Sequence, residues 1–203
     1  MKKVVVFGGS GFLGSHVADQ LSDFGYNVII YDAKSSDYLR FDQEMIVGDL
    51  SDIELVSKTI KGASAVYNFA ALSDLNESLT KPISSININI LGNCHILEGC
   101  IKNKVDRFVY ASSVYVNSRE GGFYGCSKKV AEMFIEQYHQ TFGLDYTILR
   151  YGSLYGPRAD SRNGLRRIVA GAIKNKILKY EGDKDASREY IHVRDAASAS
   201  VQA

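Results

Sequence analysis

Short apolar runs rich in β-branched and aromatic residues punctuate the chain at Val4 to Phe7, Val28 to Tyr31, Ala65 to Tyr67, Phe108 to Ala111 and Tyr146 to Leu149. Continuous rather than alternating apolar character predicts strands covered on both faces, as in a parallel sheet. Between them the apolar period lengthens to that of a helix. One stripe is Leu13, Val17, Leu21 and Phe24, a second is Ile86, Ile90, Cys94, Leu97 and Ile101, and a third is Val130, Phe134 and Tyr138. Strand and helix alternating in this way predict right-handed crossovers and an α/β, doubly wound parallel sheet, with ligands at the carboxyl ends of the strands.

After Leu149 the pattern changes. A Gly- and Arg-rich stretch from Tyr151 to Arg167 leads to a helix near Ile168 to Lys174, a turn at Gly182-Asp183 and a last helix from about Arg194. Two units are expected: residues 1–150 as the dinucleotide-binding domain and 151–203 as a small C-terminal substrate lobe. The sequence stops at Ala203 inside a helical pattern with no Gly or Asn behind it, so this lobe is expected to be truncated.

Composition narrows the field of partners. The 203 residues carry 24 Lys and Arg against 23 Asp and Glu, a net charge of +1, which supplies no basic field for nucleic acid. Three cysteines, Cys94, Cys100 and Cys126, lack metal-ligand spacing and read as reduced thiols of a cytoplasmic protein. No metal site is expected. The apolar run after the two N-terminal lysines breaks into glycines at once, so neither a signal peptide nor a membrane partner is expected.

Candidate chemistry begins where the first strand meets Gly8-Gly9-Ser10-Gly11-Phe12-Leu13-Gly14 and then a helix. Gly8, Gly11 and Gly14 lack Cβ atoms, which permits a tight turn, close approach of a pyrophosphate and packing of helix on strand, while the helix N-terminus offers free N–H groups. Asp32 closes the second strand eighteen residues after Gly14, placed to accept the hydroxyls of an adenosine ribose. That favours NAD; Lys34 keeps NADP open, and an ordinary strand-ending aspartate is the plainer alternative. Asp49, in Gly48-Asp49-Leu50 after the third strand, either reaches the adenine edge or caps the helical segment that starts near Ser51.

Tyr124 and Lys128 are four apart, so their side chains share a helix face. Roughly one such Tyr-x-x-x-Lys spacing arises by chance in a chain of this composition. A second pair, Tyr180 and Lys184, encloses Gly182-Asp183, and a turn there destroys any shared face. Tyr124 differs because Ser112-Ser113 closes a strand shortly before it. Lowering a tyrosine from about 10 to about 7 asks for roughly 4 kcal/mol of preferential phenolate stabilisation, which a neighbouring ammonium and a cationic nicotinamide would provide. Ser112 and Ser113 are either part of that site or simple turn caps.

With these residues in place, the chain resembles the extended short-chain dehydrogenase/reductases, in the nucleotide-sugar epimerase and dehydratase branch. The resemblance is carried by the glycine loop, Asp32, Gly48-Asp49-Leu50, Phe69-Ala70-Ala71, Asn89, Phe108 to Ser113, Tyr124 to Lys128, Arg150 to Arg158 and Arg188 to Val193. It implies that Tyr124 moves a proton, Ser113 binds the sugar hydroxyl with Ser112 as fallback, and Lys128 holds the nicotinamide ribose. The implied NAD contacts further include Gly8, Gly11, Phe12, Leu13, Gly14, Asp32, Asp49, Leu50, Phe69, Ala70, Ala71 and Tyr151. Asn89 is implied to brace neighbouring loops, while Ser153 and Arg188 are implied to meet the substrate, Arg188 at its diphosphate.

The departures shape the expected activity. Val114-Tyr115 follows the serines where dehydratases of this branch carry an acid, so loss of water is disfavoured. The segment between Ser113 and Tyr124 is shorter than usual, Asn68 stands where a histidine is common, and Ser153 replaces an asparagine. The expectation is therefore NAD-dependent epimerisation of a nucleotide sugar through a transient keto intermediate. The alternatives are a nucleotide-sugar reductase or dehydrogenase, or a dinucleotide-binding protein without turnover. A homodimer is expected through the helical regions Ile83 to Asn103 and Phe123 to Phe142.

Overall fold

The computed structural model describes residues 1–178, 185 and 188–203. The expected Gly182-Asp183 turn and the Tyr180 and Lys184 pair lie outside the described residues. The main sheet is formed by β1 (Lys3–Phe7), β2 (Asn27–Asp32), β3 (Gln43–Val47), β4 (Ala63–Asn68), β5 (Arg107–Ser113) and β6 (Asp145–Tyr151), all parallel, in the order β3-β2-β1-β4-β5-β6. The strand order reverses direction between β1 and β4, and at such a switch point a crevice opens beyond the strand ends.

Successive side chains alternate between the two faces, which separates the core into two layers. Val5, Phe7, Ile29, Tyr31, Val66, Phe108 and Tyr110 face α2 (Ile53–Ile60), α5 (Gly92–Lys102) and α6 (Gly122–Phe142). Val4, Val6, Val28, Ile30, Tyr67 and Val109 face α1 (Phe12–Asp23) on the other side. β3 is absent from the apolar runs read in the sequence because it is the edge strand, half-buried and carrying Gln43 and Glu44.

The helix stripes are corrected in phase. In the first, Leu13, Val17 and Leu21 are buried, but Phe24 is exposed because it caps α1 after the helix has ended. The second is interrupted: α3 (Leu75–Thr80) and α4 (Pro82–Ser85) precede a π-helical segment, Ile86–Leu91, that runs into α5. Each wide turn rotates the following face relative to a 3.6 period, so Asn89, Asn93, Ile96, Leu97 and Cys100 point inward while Ile86 is exposed. In α6 the inward face is Lys128, Ala131, Glu132 and Ile135; Phe134 is exposed, and Tyr138 is only partly buried. Two buried charged groups made that face look polar in sequence.

Beyond the main sheet, β7 (Ser153–Tyr155) pairs in parallel with β8 (Tyr190–His192), with α7 (Gly164–Asn175) between them and α8 (Val193–Gln202) after them. α8 falls in the span read from sequence as the substrate lobe, yet Val193, Ala196 and Ala197 are buried against α1 in the core layer of the large sheet. Side chains of α1 tie down the same region: His16 Nε2 lies 3.0 Å from the Pro157 carbonyl, Asp19 takes Arg158 at 2.6 Å, and Gln20 donates to the Arg194 carbonyl at 3.1 Å.

Candidate active site

The carboxyl ends of β1, β2, β4, β5 and β6 open into one cleft of about 2650 Å³. Single-ligand pockets run to roughly 300–1,000 Å³, so this space accommodates a dinucleotide and a second molecule together.

At one end lies the glycine loop. Gly8 has φ +75°, a conformation that favours glycine, and a Cβ there would strike the backbone of Ala70. A Cβ on Gly14 would strike the Gly8 carbonyl, so this residue sets how closely α1 approaches the end of β1. The loop closes with Gly11 N donating to Gly8 O at 3.1 Å, and Gly11 caps α1 without a side chain, leaving the first-turn amides around Phe12 and Leu13 open to an anion. A pyrophosphate needs such a cradle, and the backbone around Gly8 and Gly14 leaves no room for a Cβ.

Asp32 stands at the end of β2, where its carboxylate accepts from Ser10 N at 3.0 Å and Lys34 N at 3.3 Å. It thereby holds the glycine loop against the segment after β2 while still facing the cleft. Asp49 also lines the cleft, but its Oδ1 accepts both the Ser51 hydroxyl at 2.6 Å and the Ser51 amide at 2.8 Å. Those bonds hold its carboxyl below the ordinary carboxylate range. The cap of α2 is Asp52, which accepts from Leu55 N, so the helix-cap alternative considered for Asp49 is corrected. Leu50, Phe69, Ala70 and Ala71 all line the cleft. Tyr151 lines it as well, but its hydroxyl is 2.6 Å from Ser200 Oγ on α8.

The loop after β4 is held by two buried asparagines. Asn68 donates to Asn93 at 2.9 Å and accepts from Ala70 N at 3.0 Å. Asn89 accepts from Leu72 N at 2.8 Å and donates to the Ser127 hydroxyl at 2.9 Å, linking that loop to α6. The burial of Asn89 follows from the π-helical turn that carries it.

The candidate reacting groups sit where β5 meets α6. The Ser113 hydroxyl is set against the Tyr124 phenol, where it favours the ionised form, and Ser113 Oγ accepts from Tyr115 N at 3.2 Å. Ser112 points elsewhere: its hydroxyl donates to Glu132 at 2.5 Å in the packing between β5 and α6. Alternation along a strand separates the two serines. The short connection from Ser113 to Tyr124 is taken up by two tight turns, Val114–Asn117 and Arg119–Gly121.

Lys128 is 2% exposed, an unusual state for an amine, and its Nζ donates to the Ala111 carbonyl at 2.6 Å. It lies over the Tyr110 ring at 4.6 Å and the Tyr124 ring at 5.9 Å from their centroids. Burial drives its affinity for a proton down to about 7, against the opposing charge of Glu132. Burial likewise pushes Tyr124 up to about 12, with the Ser113 hydrogen bond acting in the opposite direction. Burial therefore works against the phenolate, and the expected stabilisation calls on the cationic nicotinamide as well as on Lys128. A half-titrated ammonium cannot by itself offset the lost hydration of a phenolate.

Ser153 opens β7 and Arg188 is exposed just before β8; both line the far part of the cleft. Sequence reasoning gave no role to Glu132 or Arg150, although they form a buried-to-surface ion pair directly behind the reacting groups. A signal existed, since Glu132 continues the four-residue spacing of Tyr124 and Lys128. Among the described residues no group of three His, Cys, Asp or Glu is arranged to hold a metal, and no helix is long and apolar enough to cross a membrane.

Comparison with known proteins agrees with this geometry. The family model described as "NAD dependent epimerase/dehydratase family" matches residues 4–203. A putative UDP-glucose 4-epimerase of Methanocaldococcus jannaschii is 32% identical over 221 residues, spanning 98% of this chain and 72% of that protein. Among solved structures, UDP-glucose 4-epimerase of Thermotoga maritima with UDP-glucose superposes with a TM-score of 0.90 at 29% identity, covering 98% of this chain and 72% of that one. UDP-glucose 4-epimerase of Thermus thermophilus in complex with NAD has a TM-score of 0.87 at 27% identity, covering 98% and 73%.

Proposed function

Because the chain belongs to the NAD dependent epimerase/dehydratase family, we propose that it epimerises a nucleotide sugar through a transient keto intermediate. One observation carries the reading: Ser113, Tyr124 and Lys128 converge at the end of β5 in the same cleft as the glycine cradle. UDP-sugars in the solved relatives support a uridine nucleotide.

The Gly8 to Gly14 loop and Asp32 would hold NAD, which when bound would supply reversible hydride acceptance without net consumption. Tyr124 takes the proton from the sugar hydroxyl that is oxidised and gives it back after the keto sugar has turned over. Ser113, set beside Tyr124, orients that hydroxyl by hydrogen-bonding it. Lys128 holds the nicotinamide ribose and opposes the charge that develops on the phenol. Arg188 and Ser153, at the far side of the cleft, receive the nucleotide diphosphate and sugar. Val114 and Tyr115 provide no added acid, which favours epimerisation over loss of water.

The protein works as a cytoplasmic homodimer in this reading, with residues 1–150 as the main cofactor-binding unit and the later segment shaping the substrate side. Three free thiols support the compartment. Exposed apolar side chains at Ile83, Ile86, Phe123, Met133 and Phe134, all within the two helical regions, support the dimer.

The test mixes the protein with NAD and a panel of UDP-, GDP- and dTDP-sugars, and follows both sugar identity and the nicotinamide absorbance band. An altered sugar with no lasting absorbance change supports the reading. Stoichiometric reduction of NAD, or no conversion of any sugar, overturns it.

A further inference from the structure

Glu132 takes no part in the proton transfers above, yet it is 4% exposed in the wall behind them. It follows Lys128 by four residues and Tyr124 by eight, so all three side chains leave one side of α6. Its Oε1 accepts from Ser112 at 2.5 Å and from Arg150 Nε at 3.0 Å, and its Oε2 accepts from Arg150 Nη2 at 2.6 Å. Ser112 and Arg150 are register partners on β5 and β6. One carboxylate therefore fastens α6 to two strands at once.

A second fastening lies beside it, where Lys128 donates to the Ala111 carbonyl. Residues 111 and 112 of β5 are thus both tied to α6 immediately before Ser113. The position of Ser113 relative to Tyr124, one residue from these ties, depends on how firmly helix and strand are held. Hydrogen bonds to ionised groups are the stronger kind, and a bidentate guanidinium also fixes direction.

We propose that Glu132 is a positioning residue for the epimerisation: it locks α6 to the ends of β5 and β6 and sets its negative charge beside the Lys128 amine. This rests on the functional reading above. The groups facing Lys128 are Tyr124 and Glu132 from α6 and Tyr110 from β5, with Arg150 of β6 behind Glu132. Tyr115, from the turn after β5, faces Tyr124, and Cys94 of α5 faces Tyr110. Of these, Glu132 raises the affinity of Lys128 for its proton. Its own carboxyl stays below the ordinary range because the bonds from Arg150 and Ser112 outweigh the opposing effect of burial.

The experiment titrates Lys128 in the whole protein without added cofactor, by NMR of ¹³Cε-labelled lysine, with the resonance assigned by its loss in Lys128→Met. Glu132→Gln keeps the shape and removes the charge, and is expected to lower the Lys128 midpoint by about one pH unit. Arg150→Gln leaves the carboxylate less neutralised and is expected to raise it. In parallel, Glu132→Gln is expected to lower kcat about tenfold at neutral pH with KM within about threefold, and to move the alkaline limb of the pH profile downward. Glu132→Asp, which keeps the charge, is expected to restore the midpoint.

A merely structural role predicts no opposed shifts in the two variants. An unchanged Lys128 midpoint in Glu132→Gln, or a parental kcat, overturns the proposal; if Glu132→Gln does not fold, a midpoint that fails to rise in Arg150→Gln overturns it. A parent protein that converts no nucleotide sugar removes the functional reading instead, while the NMR midpoints still decide whether Glu132 sets the charge of Lys128.

Discussion

Ser112 donates its hydroxyl to the buried carboxylate of Glu132 at 2.5 Å, whereas Ser113 beside it is set against Tyr124 on the same helix. Two adjacent, chemically identical side chains are thus assigned different work by strand alternation. Ser113→Ala is expected to lower kcat about a hundredfold with the fold intact. Ser112→Ala is expected to keep more activity but to lose about 1–3 kcal/mol of stability, because Glu132 then lacks a buried donor. Steady-state kinetics and urea unfolding on the two variants check the division; equal kinetic losses would refute it.

Tyr124→Phe removes the hydroxyl proposed to move the proton and little else. Its kcat is expected to fall by roughly 10²–10⁴. NAD binding, measured by calorimetry, is expected to stay near the parental affinity, since the glycine loop and Asp32 are untouched. Sugar conversion at the parental rate would exclude the phenol as the proton carrier.

Burial holds Lys128 down to about 7, well below an unfolded lysine. Between these two values the unfolded chain binds the extra proton, so the contribution of this group to stability rises with pH through that window. Below it the full penalty applies, at most roughly 5 kcal/mol. Lys128→Met is therefore expected to be inactive but more stable than the parent at pH 7, with the difference shrinking at pH 9. Urea unfolding at both values provides the check, and a difference independent of pH would contradict the assigned cause.

Gly14→Ala places a methyl group against the Gly8 carbonyl. Because that neighbour is backbone, relief requires α1 to move away from the end of β1, at a cost of about 1–3 kcal/mol. NAD affinity measured by calorimetry is expected to fall at least about tenfold, while far-ultraviolet circular dichroism stays parental. Unchanged affinity would show that the cradle tolerates a side chain.

Local chemistry made much of this protein readable from its residues. Apolar runs marked the buried strands because a strand covered on both faces has no polar side to show. The glycine loop was legible because only a residue without Cβ fits where the Gly8 and Ala70 backbones meet. Tyr124 and Lys128 were legible because a helix brings residues four apart together. The edge strand β3 was not, since its half-exposed residues carry no apolar run.

Tertiary structure alone decided the rest, because it depends on groups distant in the chain. The π-helical turn at Ile86–Leu91 rotated Asn89 and Asn93 inward, against the stripe read from a regular period. Packing against α1 returned α8 to the main sheet, although its sequence follows the small lobe. The choice between Ser112 and Ser113 waited on Glu132, twenty residues away. The titration of Lys128 and Tyr124 was set by how much water the assembled core excludes, a property that spacing along a chain does not encode.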